Sequence, residues 1–279
     1  MKRVLFILVF ILQVISLLGQ ANFSFVFLPD THLRPDSLIE KNFDAVTEKI
    51  NSLDPDFLML GGDMIYTAKN GDEKKAQMLF DFMDKKFKDF NLPFYYTMGN
   101  HEVVGILPNS GIDSSDPAWG KGLYEKRYCK RYYSFEKYGW KFFVLDGIKI
   151  LKKEMNYTSG VDSVQIAWIK KELSSVDKDM PLVVVIHTPL VNPKSFTNPG
   201  FEIISSNARK VLNQFKDHNL RLVLQGHNHV YMNLFYEGIY YISGGSTLPN
   251  TGFWNRGFTL FNIVDDKINV EFIRTGKHS

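Results

Sequence analysis

From Phe23 onward, short apolar runs close on polar residues, and each of the first two leads into a segment that reads as a helix. FSFVFLPDTH (23–32) precedes a predicted helix over Ser37–Leu53, and DFLMLGGD (56–63) precedes one from about Asp72 to Phe90. PFYYTMGNHE (93–102) follows. Strands alternating with helices at this spacing imply βα units and a sheet covered on both faces. Polar residues at the carboxyl ends of such strands fall along one edge, where α/β sheets bind ligands.

The middle of the chain changes character. VVGILPNSGIDSSDPAWGKG (103–122) is rich in Gly, Pro and Ser and reads as a loop, while RYYSFEKYGWKFFVLDG (131–147) reads as a hairpin around Lys137–Gly139. SVQIAWIKKEL (163–173) has helical periodicity, PLVVVIHTPL (181–190) is a buried strand ending at His187, and a helix is expected over about Glu202–Asp217. LRLVLQGHNH, YEGIYYISGGS and FTLFNIVDDKINVEFI then form a series of strands with turns at Glu237–Gly238 and Asp265–Asp266. With no internal repeat, low-complexity tract or linker, the pattern predicts one domain built around two layered sheets with helices outside.

Composition narrows this reading. The 279 residues are 44% hydrophobic and 23% charged, enough for a core and inconsistent with disorder. A net charge of +3 gives no electrostatic signal for nucleic acid. MKRVLFILVFILQVISLLGQA opens with Lys2 and Arg3, runs apolar from Val4 to Leu18 and closes on small residues. That is the plan of a secretory signal peptide over residues 1–20, leaving a domain over 21–279. The apolar run is shorter than the roughly 20 residues of a membrane span, so cleavage is favoured over an anchor and no transmembrane helix is expected in the mature protein. The sole cysteine, Cys129, allows no intramolecular disulfide, which favours a periplasmic or secreted bacterial location.

Candidate chemistry lies at the strand ends. Asp30 and His32 stand in PDTH, Asp63 in GGD, Asn100 and His101 in GNHE, His187 in VVIH, and His227 and His229 in GHNH. His227 and His229 are two apart, so in an extended segment both imidazoles would leave in one direction. Carboxylate, imidazole and amide oxygen suit divalent transition metals, and the lack of thiolates argues against a structural zinc site.

The ordered blocks D-x-H, GD, GNH-E, H and GH-x-H resemble the calcineurin-like metallophosphoesterase superfamily and span Asp30 to His229. The resemblance implies a four-layer α/β/β/α sandwich of two mixed sheets flanked by helices, with the metal site at strand carboxyl ends. It also implies a phosphoesterase with two divalent ions (Mn, Fe or Zn), in which hydroxide on the metals attacks a phosphomonoester or phosphodiester. Asp30, His32 and His229 would hold one ion, Asn100, His187 and His227 the other, and Asp63 would bridge them. His101 would contact the phosphate beside Asn100 and protonate the leaving oxygen. In an extended segment it points away from Asn100.

One position departs from the pattern. Many relatives carry an aspartate three residues after the GD aspartate, where Tyr66 stands here; purple acid phosphatases have a tyrosine there on iron but lack the histidine that is His32. Tyr66 is therefore either a packing residue, which is preferred, or a competitor of His32 for the first metal. Glu102 is a candidate for orienting His101. The alternative functions are a purple-acid-phosphatase-like monoesterase and a non-catalytic binding protein on the same fold.

Taken singly, each site residue has a plainer reading as a turn former, strand-end polar group or satisfied core histidine; their conjunction in order decides against it. His218 and His278 read as surface residues. The aromatic and basic stretch Trp119–Tyr133 is either a flap over the substrate or a loop packing its tyrosines on the domain, and Lys194–Phe201 and Thr247–Arg256 are candidate rim loops.

Overall fold

Along β1 (Phe23–Leu28), side chains alternate between two cores. Phe23, Phe25 and Phe27 face a second sheet, while Val26 and Leu28 face helices, as a period-2 strand covered on both sides requires. The computed structural model describes residues 22–192, 205–248 and 253–275. The expected leader, Lys194–Phe201, His278 and part of the Thr247–Arg256 rim lie outside these.

Two mixed sheets form the centre. The first runs β13-β12-β1-β2-β3, where β1 is parallel to β2 (Phe57–Leu60) and antiparallel to β12 (Gly257–Val264), with β3 (Phe94–Tyr95) and β13 (Lys267–Arg274) at its edges. The second runs β10-β11-β9-β8-β5-β4, comprising Tyr133–Lys137 (β4), Trp140–Leu145 (β5), Leu182–Ile186 (β8), Leu220–Gln225 (β9), Tyr231–Tyr236 (β10) and Ile239–Gly244 (β11). β5, β8, β9 and β11 are mutually parallel neighbours, and β4 and β10 close the edges antiparallel. Aromatic rings fill the space between the sheets. Phe25 stacks on Phe57 at 5.0 Å and on Phe261 at 4.6 Å, and Phe142 meets it edge-on. Each such fully buried ring contributes roughly 1.5–3 kcal/mol by removal from water.

Helices cover the outer faces, completing the four layers. α1 (Ser37–Leu53) starts where the Asp36 carboxylate accepts the Leu38 and Ile39 amides, and it buries Ile39, Phe43, Val46 and Ile50 on the first sheet. α2 (Glu73–Phe87) is capped by Asp72 and stops short of Phe90, whose amide turns back to the Phe87 carbonyl before Pro93 leads into β3. α4 (Ser163–Leu173), capped by Asp162, and the short α5 (Ala208–Leu212) pack on the second sheet. Within the described residues, α5 covers only part of the helix expected over Glu202–Asp217. His218 is half-buried, with Nε2 donating to the Leu173 carbonyl at 3.1 Å, because the chain must turn there to enter β9.

Two features of the middle segment differ from expectation. The stretch Trp119–Tyr133 contains α3 (Gly122–Arg127), which docks on α2: Arg127 pairs with Asp81 and Asp84, Tyr128 donates to Asp84 at 2.9 Å, and Tyr124 is buried. Arg127, Tyr124 and Tyr128 of this stretch are therefore occupied in packing, while Lys126 and Lys130 stay exposed. A small hairpin, β6 (Ile148–Leu151) and β7 (Asn156–Ser159), follows β5 and was not apparent from the sequence. Among the described residues no helix is long and apolar enough to cross a membrane.

Candidate metal centre

The loops leaving β1 and β2 are laced together. The Asp30 amide donates to the Gly62 carbonyl at 2.9 Å, and the His32 amide to the Asp63 carbonyl at 3.0 Å. From β9, the His227 amide reaches both Asp30 carboxylate oxygens at 3.1 and 3.0 Å. Five candidate ligands sit in the left-handed region: Asp30 (φ 55°), His32 (45°), Asp63 (52°), His227 (73°) and His229 (53°). Side chains other than glycine rarely adopt this conformation, Asp and His being among the more tolerant, and such strain gathers at functional sites. Gly62 (φ 86°) is required for a second reason, since a Cβ there would lie 2.7 Å from His187 Nδ1.

These turns bring seven candidates into two groups of ligand atoms. Asp30, His32, Asp63 and His229 form one; Asp63, His187 and His227 form the other, with all ligand atoms of each group within 4.8 Å of one another. Asn100 joins the second, its Oδ1 3.2 Å from His187 Nε2. Asp63 belongs to both. Its Oδ2 lies 3.1 Å from His187 Nε2 and 3.8 Å from His32 Nε2, and its Oδ1 accepts the His101 amide at 2.8 Å. His227 and His229 thus serve different groups. The sequence argument from an extended segment fails here because β9 ends at Gln225 and both histidines lie in a left-handed turn.

The donor set fits divalent ions. His187 Nδ1 donates to the Gly61 carbonyl at 2.8 Å, which turns Nε2 towards Asp63. The buried His227 Nδ1 has no hydrogen-bond partner among the described residues. His32 and His229 bring their Nε2 atoms within 2.9 Å of each other. Burial lowers His32 and His227 to about 4, so both imidazoles are neutral and keep lone pairs. At His187 burial acts in the same direction, but the Asp63 carboxylate overrides it and raises the imidazole to about 9. Asp63 itself is held well below the usual carboxylate range, because His187 and His101 outweigh its burial. Without a cation, a proton on His187 balances the Asp63 charge.

His101 stands apart from both groups. Its Nδ1 meets the Tyr66 carbonyl, leaving Nε2 to face the cleft 3.8 Å from Asp63 Oδ2. The tether is the backbone of Tyr66, which answers the question of what orients His101. Glu102 does something else: fully buried, it accepts the amides of Gly99, Asp63, Met64 and Ile65 at 2.7, 2.9, 2.8 and 3.2 Å. Burial and then the Asp63 charge push its carboxyl up to about 7, against those amide donors. An acid immediately after a GNH block was visible in the sequence; its role as a backbone clasp was not.

Tyr66 is 45% exposed, and its ring lies under the Arg34 guanidinium, whose Cζ is 4.3 Å from the ring centroid. Together with His32, His101, His229 and Leu38 these two residues line an open cavity of about 470 Å³ beside the first group of ligands. The ring therefore packs on the outer wall of the cleft.

The family profile described as calcineurin-like phosphoesterase matches residues 23–231. A curated protein, "Probable cyclic nucleotide phosphodiesterase" of Psychrobacter arcticus, is 24% identical over 221 residues, covering 76% of this chain and 71% of that one. Among solved structures, a dimetal phosphatase from Danio rerio superposes with a TM-score of 0.66 at 12% identity, covering 91% of this chain and 96% of its own. The purple acid phosphatase PPD1 of yellow lupin (Lupinus luteus) gives 0.58 at 15%, covering 91% of this chain and 52% of that one. GAP50, described as the anchor in the inner membrane complex of Plasmodium, gives 0.57 at 17%, covering 91% and 84%.

Proposed function

The chain belongs to the calcineurin-like phosphoesterase family, and on that premise we propose that it hydrolyses a phosphate ester at a centre of two divalent ions. Asp30, His32 and His229 hold one ion, Asn100, His187 and His227 the other, and Asp63 is shared. The observation that carries this reading is the place of Asp63, whose carboxylate belongs to both groups of ligand atoms. When bound, the ions supply activation of a water nucleophile and neutralise charge on the phosphoryl oxygens.

The chain's own residues do the rest. Glu102 fixes the backbone of both the GGD and the GNH turns, and so the aim of Asp63 and Asn100. His101, pinned through Nδ1, presents Nε2 to the substrate. Burial lowers its pKa, and an approaching phosphoryl anion opposes that effect, so the proton it then carries can pass to the leaving oxygen. Tyr66 supports His101 through its carbonyl and keeps its phenol in the outer cleft, which favours divalent chemistry over a tyrosine-bound iron.

The leader-like residues 1–20 support export to the periplasm or beyond. The decisive experiment is a panel of phosphomonoesters and phosphodiesters on protein stripped of metal and reconstituted with manganese, zinc or iron. Hydrolysis that appears with metal and vanishes with chelator is expected. Tight binding of two ions with no turnover of any ester would favour the binding-protein alternative.

A further inference from the structure

Lys69 lies six residues beyond Asp63, and its backbone is held on both sides. The preceding Ala68 amide donates to the His101 carbonyl at 2.8 Å, and the Lys69 carbonyl accepts the Leu107 amide at 3.0 Å. The side chain is half-buried, and Nζ stands over the Tyr157 ring, 5.2 Å from its centroid. Tyr157 is carried on β7, in the hairpin that follows β5.

Among the described residues no carboxylate lies within ion-pair distance of Lys69 Nζ, and no acceptor takes its protons. Several other partly covered cations are paired with carboxylates: Lys86 with Asp44 and Glu40, Lys121 with Asp146, Lys141 with Glu136, and Arg127 with Asp81 and Asp84. Lys69 has no such partner, and its charge acts on Asp63, Glu102 and His101. Burial lowers its ammonium below the usual lysine value, with the Asp63 and Glu102 carboxylates opposing. Burial, and then the Asp63 charge, raise the Tyr157 hydroxyl above its usual value.

We propose that Lys69, seated on the Tyr157 ring, is a substrate-binding residue that holds a non-bridging oxygen of a phosphomonoester dianion and biases the site towards monoesters over diesters. The inference rests on the phosphoesterase reading. A ring face attracts the ammonium from one side and leaves its N–H groups free on the other. A half-buried ammonium that has lost part of its hydration regains it best from an anionic oxygen. A monoester carries up to two negative charges at neutral pH and a diester one, so the added cation acts more strongly on the monoester.

The test compares wild type, Lys69→Met and Lys69→Arg, each reconstituted with metal and assayed on p-nitrophenyl phosphate and methyl p-nitrophenyl phosphate. Binding of inorganic phosphate is measured alongside by calorimetry. Lys69→Met keeps the aliphatic stem on the ring and should keep metal content and thermal stability. Loss of one charge-assisted hydrogen bond should raise KM for the monoester and weaken phosphate binding by about 10- to 100-fold. KM for the diester should move much less, and Lys69→Arg should recover most of the loss. An equal loss on both esters with unchanged phosphate affinity would mark a structural role and overturn the proposal. Should the wild type turn over neither ester, the phosphoesterase reading fails, and phosphate affinity alone then decides: equal affinity in wild type and Lys69→Met overturns the role of Lys69, and a loss in the variant upholds it.

Discussion

The Glu102 carboxylate accepts the Asp63 amide at 2.9 Å and, on the same oxygen, the Gly99 amide at 2.7 Å, so one buried side chain ties together the two turns that carry Asp63 and Asn100. Its other oxygen takes the Met64 and Ile65 amides. Glu102→Gln can satisfy only one of these pairs, since its NH2 would face the donors of the other. The variant should lose about 2–4 kcal/mol of stability, the scale of two buried amides left without acceptors. It should also bind metal more weakly without losing a ligand. Chemical denaturation of the metal-free variant and metal titration check both; a variant as stable as wild type would remove Glu102 from this role.

Asp63→Asn should separate ligand loss from fold loss. The amide keeps the size of the carboxylate and can still accept the His101 amide, but it removes the charge shared by both groups of ligand atoms. Bound metal and hydrolysis should fall together while the metal-free fold is retained. Two tightly held ions per chain in this variant, found by elemental analysis with normal turnover, would refute the shared-ligand role.

His101→Ala should behave in the opposite way. Nothing in either group of ligand atoms depends on its ring, so both ions should remain bound. Turnover should drop by about 10²–10⁴-fold for esters with poor leaving groups, the usual range for a positioned acid. The loss should be smaller for p-nitrophenyl esters, whose leaving oxygen needs little protonation. An equal loss on both would mean that His101 positions the phosphate without donating a proton.

The sheets and first two helices were legible because their signals are local. Apolar runs of strand length, helical segments between them and polar residues at strand ends are all readable without tertiary knowledge. The candidate ligands were legible for the same reason, as blocks in order. Their division between two groups was implied only by the family resemblance, and the backbone that produces it was not legible. The placement of His227 and His229 in different groups depends on left-handed backbone that is held by long-range bonds, such as the His227 amide to Asp30 across 197 positions. The burial of Tyr124 and the pairing of Arg127 likewise depend on α2, which no local pattern in Trp119–Tyr133 announces.

Tyr66→Phe should leave metal content unchanged, because the ring stands on the outer wall under Arg34 and only the carbonyl of this residue meets His101. The iron-loaded protein should show no strong visible band, and the substitution should change activity little. A phenolate-to-iron band in the wild type that disappears in Tyr66→Phe would overturn this placement and move the chemistry towards that of the purple acid phosphatases.

Protons and metal should compete at His187. The Asp63 carboxylate raises this buried imidazole from 6.5 to about 9 in the metal-free protein, so its protonation stabilises the fold fully below pH 6.5 and not at all above pH 9. Integrated over that window, the contribution is about 3 kcal/mol. His32 and His227 act in the opposite direction. Burial lowers both to about 4, so the unfolded chain takes up protons first and stability falls as pH drops from 6.5 to 4. Metal-free protein should therefore be most stable near pH 6.5 and lose stability on either side. Metal uptake at neutral pH should expel the His187 proton, giving release of about one proton, since a ligating imidazole must be neutral. Calorimetry in buffers of different ionisation enthalpy measures that release, and denaturation of metal-free protein between pH 6.5 and 9 measures the decline; flat stability with no proton release would show that His187 is not paired with Asp63 in this way.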